Sequence, residues 1–244
     1  MKLHYLILFL GLCFCSSLEA QKLAEHLLLE QKSIMNAKHE SEFGDIRNLI
    51  SGREHQAVYH FTQGHPFWQQ RSWFLGDLQT DLHFYPDLTL RYDIYKDRLL
   101  YLPDSLSLNY LAVGQEQVIH FTIGGTYFYH LGLGEEKEAL QKNDMKSGYY
   151  ELIYSGKVLM YAKNKKELKG KTGDSKVHSE FIERRYRYLY VNNAFFLIRK
   201  RKDLLRAIPK FQLEMKSYLR QNKLNLKRIG DPKFVQILSY YDSL

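Results

Sequence analysis

Apolar and polar residues alternate along residues 88–94. Leu88, Leu90, Tyr92 and Ile94 fall on one side and Thr89, Arg91 and Asp93 on the other. A period of two marks a half-buried strand. Tyr95, Lys96 and Asp97 supply a turn, and residues 98–102 return as the second strand of a hairpin. Upstream, residues 72–80 and 82–85 read as strands; downstream, residues 117–122 and 126–131 flank Gly124-Gly125, a hairpin signal. Residues 132–147 carry no sustained strand pattern and mark a soft boundary. Residues 149–154 and 157–163 flank the turn Ser155-Gly156, and residues 164–176 are polar enough to predict a loop. Residues 181–190 and 194–199 flank Asn192-Asn193, a pair that tolerates the positive φ of a tight turn.

The period then changes. Phe211, Met215, Tyr218 and Leu219 share one face at helical spacing, and Asp231-Pro232 opens a second helix whose buried stripe is Phe234, Ile237, Leu238 and Tyr241. Near the start, Leu23, Leu27 and Ile34 make a partial helical stripe within residues 21–43. The expected class is α+β: antiparallel β-hairpins forming one or two sheets, with two C-terminal helices.

Residues 1–20 read as a secretory signal peptide. A positive start is followed by an apolar run over residues 5–14 and a small, polar stretch ending at Ala20. Ten helical residues span about 15 Å, half a bilayer core, so the run is too short for a retained anchor. The two cysteines, Cys13 and Cys15, lie inside this segment, each preceded by a bulky residue, Leu12 or Phe14, which argues against lipidation. The expected mature protein then has no thiol for a disulfide, a zinc site or a nucleophile.

The segments Leu90-Arg91-Tyr92-Asp93-Ile94-Tyr95-Lys96-Asp97-Arg98-Leu99 and Gly148-Tyr149-Tyr150-Glu151-Leu152-Ile153-Tyr154-Ser155-Gly156-Lys157 resemble segments of secreted proteins from Bacteroidota-type bacteria. Their order within the chain is also similar. The resemblance implies residence in a diderm envelope, periplasmic or outer-membrane associated, and implies no activity.

Charge divides the chain. Residues 21–141 hold 10 Lys+Arg against 16 Asp+Glu, whereas residues 142–244 hold 24 against 10, giving the whole chain its +8. Three expected units follow: the signal peptide (1–20), an acidic β-rich half (21–141) and a basic half of hairpins and helices (142–244). Asymmetry of this kind points to an anionic partner for the basic half. The densest clusters are Lys163-Lys165-Lys166-Lys169-Lys171, Arg184-Arg185-Arg187 and Arg199-Lys200-Arg201-Lys202. Arginines in clusters suit bidentate capture of phosphate or carboxylate. Export argues against nucleic acid and leaves lipid phosphate, acidic glycan or an acidic protein face, with peripheral membrane contact open. The competing reading is that these runs are solvated faces.

Catalytic signals are weak. His55, His60 and His65 recur every five residues, a spacing that aligns on neither strand nor helix, and no metal-ligand or cofactor motif occurs. Asp93 and Asp97 are the best carboxylate pair for a glycan hydrolase, the alternative function class, although turn chemistry also explains them. Trp68 and Trp73, close to Phe67 and Phe74, would be the first aromatics to test for ligand or partner contact if they are exposed; strand preference favours core packing. The expected binding set is therefore Arg184, Arg185, Arg187, Arg199, Lys200, Arg201, Trp68 and Trp73, in a non-catalytic protein with no cofactor and no metal.

Overall fold

In the computed structural model, residues 50–54, 59, 62–103, 110–134, 136–173 and 176–244 are described. The expected signal peptide (1–20), the partial helical stripe expected within residues 21–43, His55 and His60 lie outside them. Twelve strands form a single sheet: β1 (Ile50–Glu54), β2 (Thr62–Gln63), β3 (Phe74–Thr80), β4 (Phe84–Asp93), β5 (Arg98–Tyr101), β6 (Leu111–Val113), β7 (Val118–Ile123), β8 (Thr126–Leu131), β9 (Gly148–Ser155), β10 (Leu159–Gly173), β11 (Lys176–Val191) and β12 (Ala194–Leu197). Their order is β1-β6-β5-β4-β3-β7-β8-β9-β10-β11-β12. All these pairs are antiparallel; β2 adds to β11 in parallel. Four helices accompany it among the described residues: α1 (Lys137–Lys142), α2 (Arg201–Ala207), α3 (Gln212–Gln221) and α4 (Asp231–Ser243). The β-rich α+β class is as expected. Three helices rather than two follow the sheet, because the basic run at 199–202 leads into α2. There the Asp203 carboxylate accepts the backbone N–H groups of Arg199 and Lys200, both at 3.0 Å.

The hairpin chemistry is as read in most places. Asp93 Oδ1 accepts the N–H groups of Tyr95 (3.0 Å) and Lys96 (2.9 Å), closing the β4–β5 turn. Asn192 and Asn193 take φ of 50° and 56° between β11 and β12. The strand pairing β8–β9 carries the sheet across residues 132–147, where α1 sits. The largest difference is at residues 164–176. They form no long loop; β10 and β11 continue as a ladder from Leu159↔Tyr190 to Gly173↔Lys176. Both faces of this arm carry polar residues, so its period-two signal is blurred. Leu168 opposite Phe181 is its one apolar pair beyond Ala162.

The sheet curls so strongly that the end of β4 reaches β10, five places away in strand order: Lys166 N–H donates to Ile94 O at 3.2 Å. The concave side fills with aromatic rings. Tyr92 contacts Phe121 (5.6 Å), Phe128 (5.2 Å) and Tyr149 (5.7 Å) edge-on, and all four are essentially inaccessible. Two further layers flank β9–β12. On one face Val158, Met160, Leu189 and Ile198 pack against Leu204, Met215, Leu219, Phe234, Ile237 and Leu238 of α2–α4. On the other, Tyr150, Tyr161 and Phe195 pack with Ala139 and Leu140 of α1. No helix among the described residues is long and apolar enough to cross a membrane.

Candidate functional site

Two polar assemblies stand out against this apolar framework. The first lies where β11 meets the start of α4. The period of two places Arg185 and Arg187 on the helix-bearing face and Arg184 on the opposite one, beside Lys165 of β10. Arg185 forks onto Glu151 (Nη1–Oε2 2.7 Å, Nη2–Oε1 2.8 Å) and reaches Asp231 (2.5 Å). It also donates to Asn164 Oδ1, whose Nδ2 holds Glu151 at 2.7 Å. Arg187 Nε donates to Asp231 Oδ1 at 2.7 Å, and its guanidinium lies 5.0 Å from the centre of the Phe234 ring. Burial disfavours the charge on Arg185, but Glu151 and Asp231 together outweigh it and hold its pKa above the ordinary value. Asp231, placed at the first turn of α4, thus anchors the helix to the sheet.

Beside this network is a cavity of about 300 Å³. Arg185, Arg187, Arg199 and Lys227 supply cations to its wall, and Leu197, Ile198 and Leu226 supply apolar surface. Arg199 and Lys227 are exposed and form no ion pair among the described residues. Bidentate and bridging carboxylates fix the positions of the two arginines and compensate their charge, so Arg199 and Lys227 carry the cavity's uncompensated charge.

Arg184, Arg199 and Lys200 are thus exposed, whereas Arg185 and Arg187 have structural duties as well. Arg201 is half-buried and donates to Lys216 O at 2.8 Å. Trp68 is 6% exposed and packs edge-on against Phe128 at 5.2 Å, so its ring belongs to the core and offers no binding surface. Trp73 is half-buried against Tyr110 at 5.6 Å.

The second assembly surrounds Arg91 on the outward face of β4. Its guanidinium lies 3.9 Å from the Phe67 ring centre, 4.0 Å from Trp73 and 5.1 Å from Tyr110. It borders a cavity of about 340 Å³ lined also by Tyr59, His65, Arg71 and Phe181. Sequence reading singled out the tryptophans here and missed Arg91. The available signal was an arginine between two core positions, Leu90 and Tyr92, with an aromatic run upstream.

The hydrolase carboxylates are committed elsewhere. Asp93 is fully buried and closes its turn. Asp97 accepts the Tyr92 hydroxyl and pairs with Lys163 Nζ at 2.6 Å. No three His, Cys, Asp or Glu side chains converge as a metal site among the described residues. Comparison of the chain with protein-family models, curated proteins and solved structures finds no match.

Proposed function

We propose that the protein is an exported, non-catalytic binding or scaffolding module of a diderm cell envelope that engages an anionic partner through its basic C-terminal half. The observation that carries this reading is the 300 Å³ cavity in which the exposed Arg199 and Lys227 add positive charge beside the carboxylate-paired Arg185 and Arg187, with an apolar flank. Charge would draw the partner in, and Leu197 and Leu226 would add short-range contact. The sequence pattern of residues 1–20 supports export. The hydrolase alternative gains nothing from Asp93 and Asp97, whose carboxylates serve a turn and an ion pair.

The test uses Arg199→Glu with Lys227→Glu, which spares the Arg185–Glu151–Asp231–Arg187 network. A poly-glutamate peptide and vesicles containing phosphatidylglycerol serve as separate probes. The reading predicts saturable binding of at least one probe, weakened by salt and lost in the double variant with its melting temperature unchanged. Screening lengths fall to about 3 Å at 1 M salt, so the loss should be near complete there. Binding unaffected by the double variant would refute the reading.

A further inference from the structure

The cavity at Arg91 is independent of the basic cavity and has a different chemistry. Rings cover the guanidinium of Arg91, leaving its in-plane edges as the routes for polar contact. Nη1 donates to Arg71 O at 3.0 Å. Nε is buried and has no hydrogen-bond partner among the described residues. The Nε–Nη2 edge presents two parallel N–H groups, the spacing of a carboxylate. A second buried donor lacking a partner is the Tyr59 hydroxyl, on a ring held edge-on by Phe181 (5.0 Å) and Tyr95 (5.9 Å). Other buried side-chain atoms share this state among the described residues, Arg201 Nε and the Tyr149 hydroxyl included, but at Arg91 and Tyr59 two such donors belong to residues lining one cavity.

The remaining wall fits the same ligand. Arg71, whose Nη2 donates to Gly64 O at 2.7 Å, is a second cation, and the lining contains no acidic residue. Phe67, Tyr110 and Phe181 provide ring faces and edges. At about 340 Å³ the cavity suits a single six-membered ring with substituents and is too small for an extended chain. His65 lies in the wall with its pKa lowered by burial and, to a smaller extent, by the nearby Lys166 and Arg71.

We propose that this cavity binds a small ring carboxylate, with the carboxylate on the Nε–Nη2 edge of Arg91, the Tyr59 hydroxyl as a further donor, and the ring against the aromatic wall. Acidic sugars and aromatic acids share this chemistry, and two arms of one experiment separate them. Glucuronate and benzoate are titrated into the full chain, with glucose and benzamide as uncharged counterparts. Calorimetry reads binding, and tryptophan emission provides a local report because the Trp73 ring lies 4.0 Å from Arg91.

The expected result is saturable binding of one or both acids, at least about tenfold tighter than the uncharged counterpart. Arg91→Lys keeps the charge but loses the paired N–H edge, and should weaken binding about tenfold. Because Arg91 also packs three rings, Tyr59→Phe provides the second variant. It removes only a hydroxyl without a partner, so the free protein should melt no lower than the parent while binding weakens several-fold. Three results would each overturn the proposal: no saturation by either acid up to about 10 mM, uncharged counterparts that bind equally well, or a folded Tyr59→Phe variant with parental affinity.

Discussion

Asp97→Asn isolates one charge in the joint between β10 and the β4–β5 turn. Asp97 sits at φ 55°, a conformation that asparagine also tolerates, and Asn can still accept from the Tyr92 hydroxyl. The substitution therefore removes little except the negative charge facing Lys163. That ammonium is 2.6 Å from the carboxylate and otherwise has Tyr149 O at 2.9 Å and the Tyr150 ring at 4.7 Å. Gly148 makes the close approach possible, since a Cβ at its φ of 143° would overlap the Asp97 carboxylate. Breaking a fully buried pair costs about 3–5 kcal/mol. Here the side chains keep 15% and 26% exposure, which lets water recover part of that loss. A cost of about 2–3 kcal/mol follows, or roughly 4–12 °C in Tm for a domain of this size.

Urea unfolding followed by circular dichroism measures the cost directly. Its pH dependence adds a second check. Burial lowers the Lys163 pKa in the folded chain, and Asp97 opposes that shift. Between the folded and unfolded pKa values the unfolded chain holds more protons, so stability rises with pH across that window. Without Asp97 the folded pKa drops further, the window widens at its lower end, and the variant's deficit should shrink as pH rises toward 10.4, the unperturbed lysine value of about that size. A neutral-pH cost below about 1 kcal/mol, or a deficit that stays constant with pH, would refute the role assigned to this pair.

Gly76→Ala should prevent soluble folding or cost more than about 4 kcal/mol, because its Cβ would overlap the Thr122 carbonyl across the β3–β7 ladder; a normal denaturation midpoint would contradict that packing. His65, His120 and His130 all have folded pKa values lowered chiefly by burial. Their contribution to stability is present above the unfolded pKa near 6.5 and is lost as pH falls through the folded values. Stability should therefore decline below pH 6.5, and an NMR titration placing His130 at or above 6.5 would exclude its share. In Trp73→Phe, the lone Trp68 should emit at short wavelength and resist acrylamide quenching; ready quenching would contradict its place against Phe128.

Local sequence patterns revealed strands more readily than partners. The alternation at residues 88–94 located the core side of β4, and Asn192-Asn193 located a turn, because both are decided within a few residues. The β10–β11 arm was opaque because Lys163, Lys165, Lys166 and Lys169 look like loop residues, yet two of them are largely enclosed by distant groups. Lys163 meets Asp97, and Lys166 donates to Phe67 O at 2.6 Å. The same reason hid half of the candidate site. Arg185 and Arg187 could be recognised as a basic cluster, but their anchoring by Glu151 and Asp231 joins residues 34 and 44 positions apart. Lys227 joins Arg199 only because α2–α4 fold back on the sheet. Trp68 illustrates the converse: strand preference favoured the core, its aromatic neighbourhood made it a binding candidate if exposed, and the structure buries it against Phe128.

In-cell crosslinking in native envelopes, followed by purification of the full chain at low and high salt, asks whether the basic cavity holds an anionic partner in the cell. One acidic protein or anionic glycolipid should be recovered at low salt, diminished at high salt and absent with Arg199→Glu/Lys227→Glu. Equal recovery with the double variant, or recovery indifferent to salt, would mean that the basic cavity does not hold the partner.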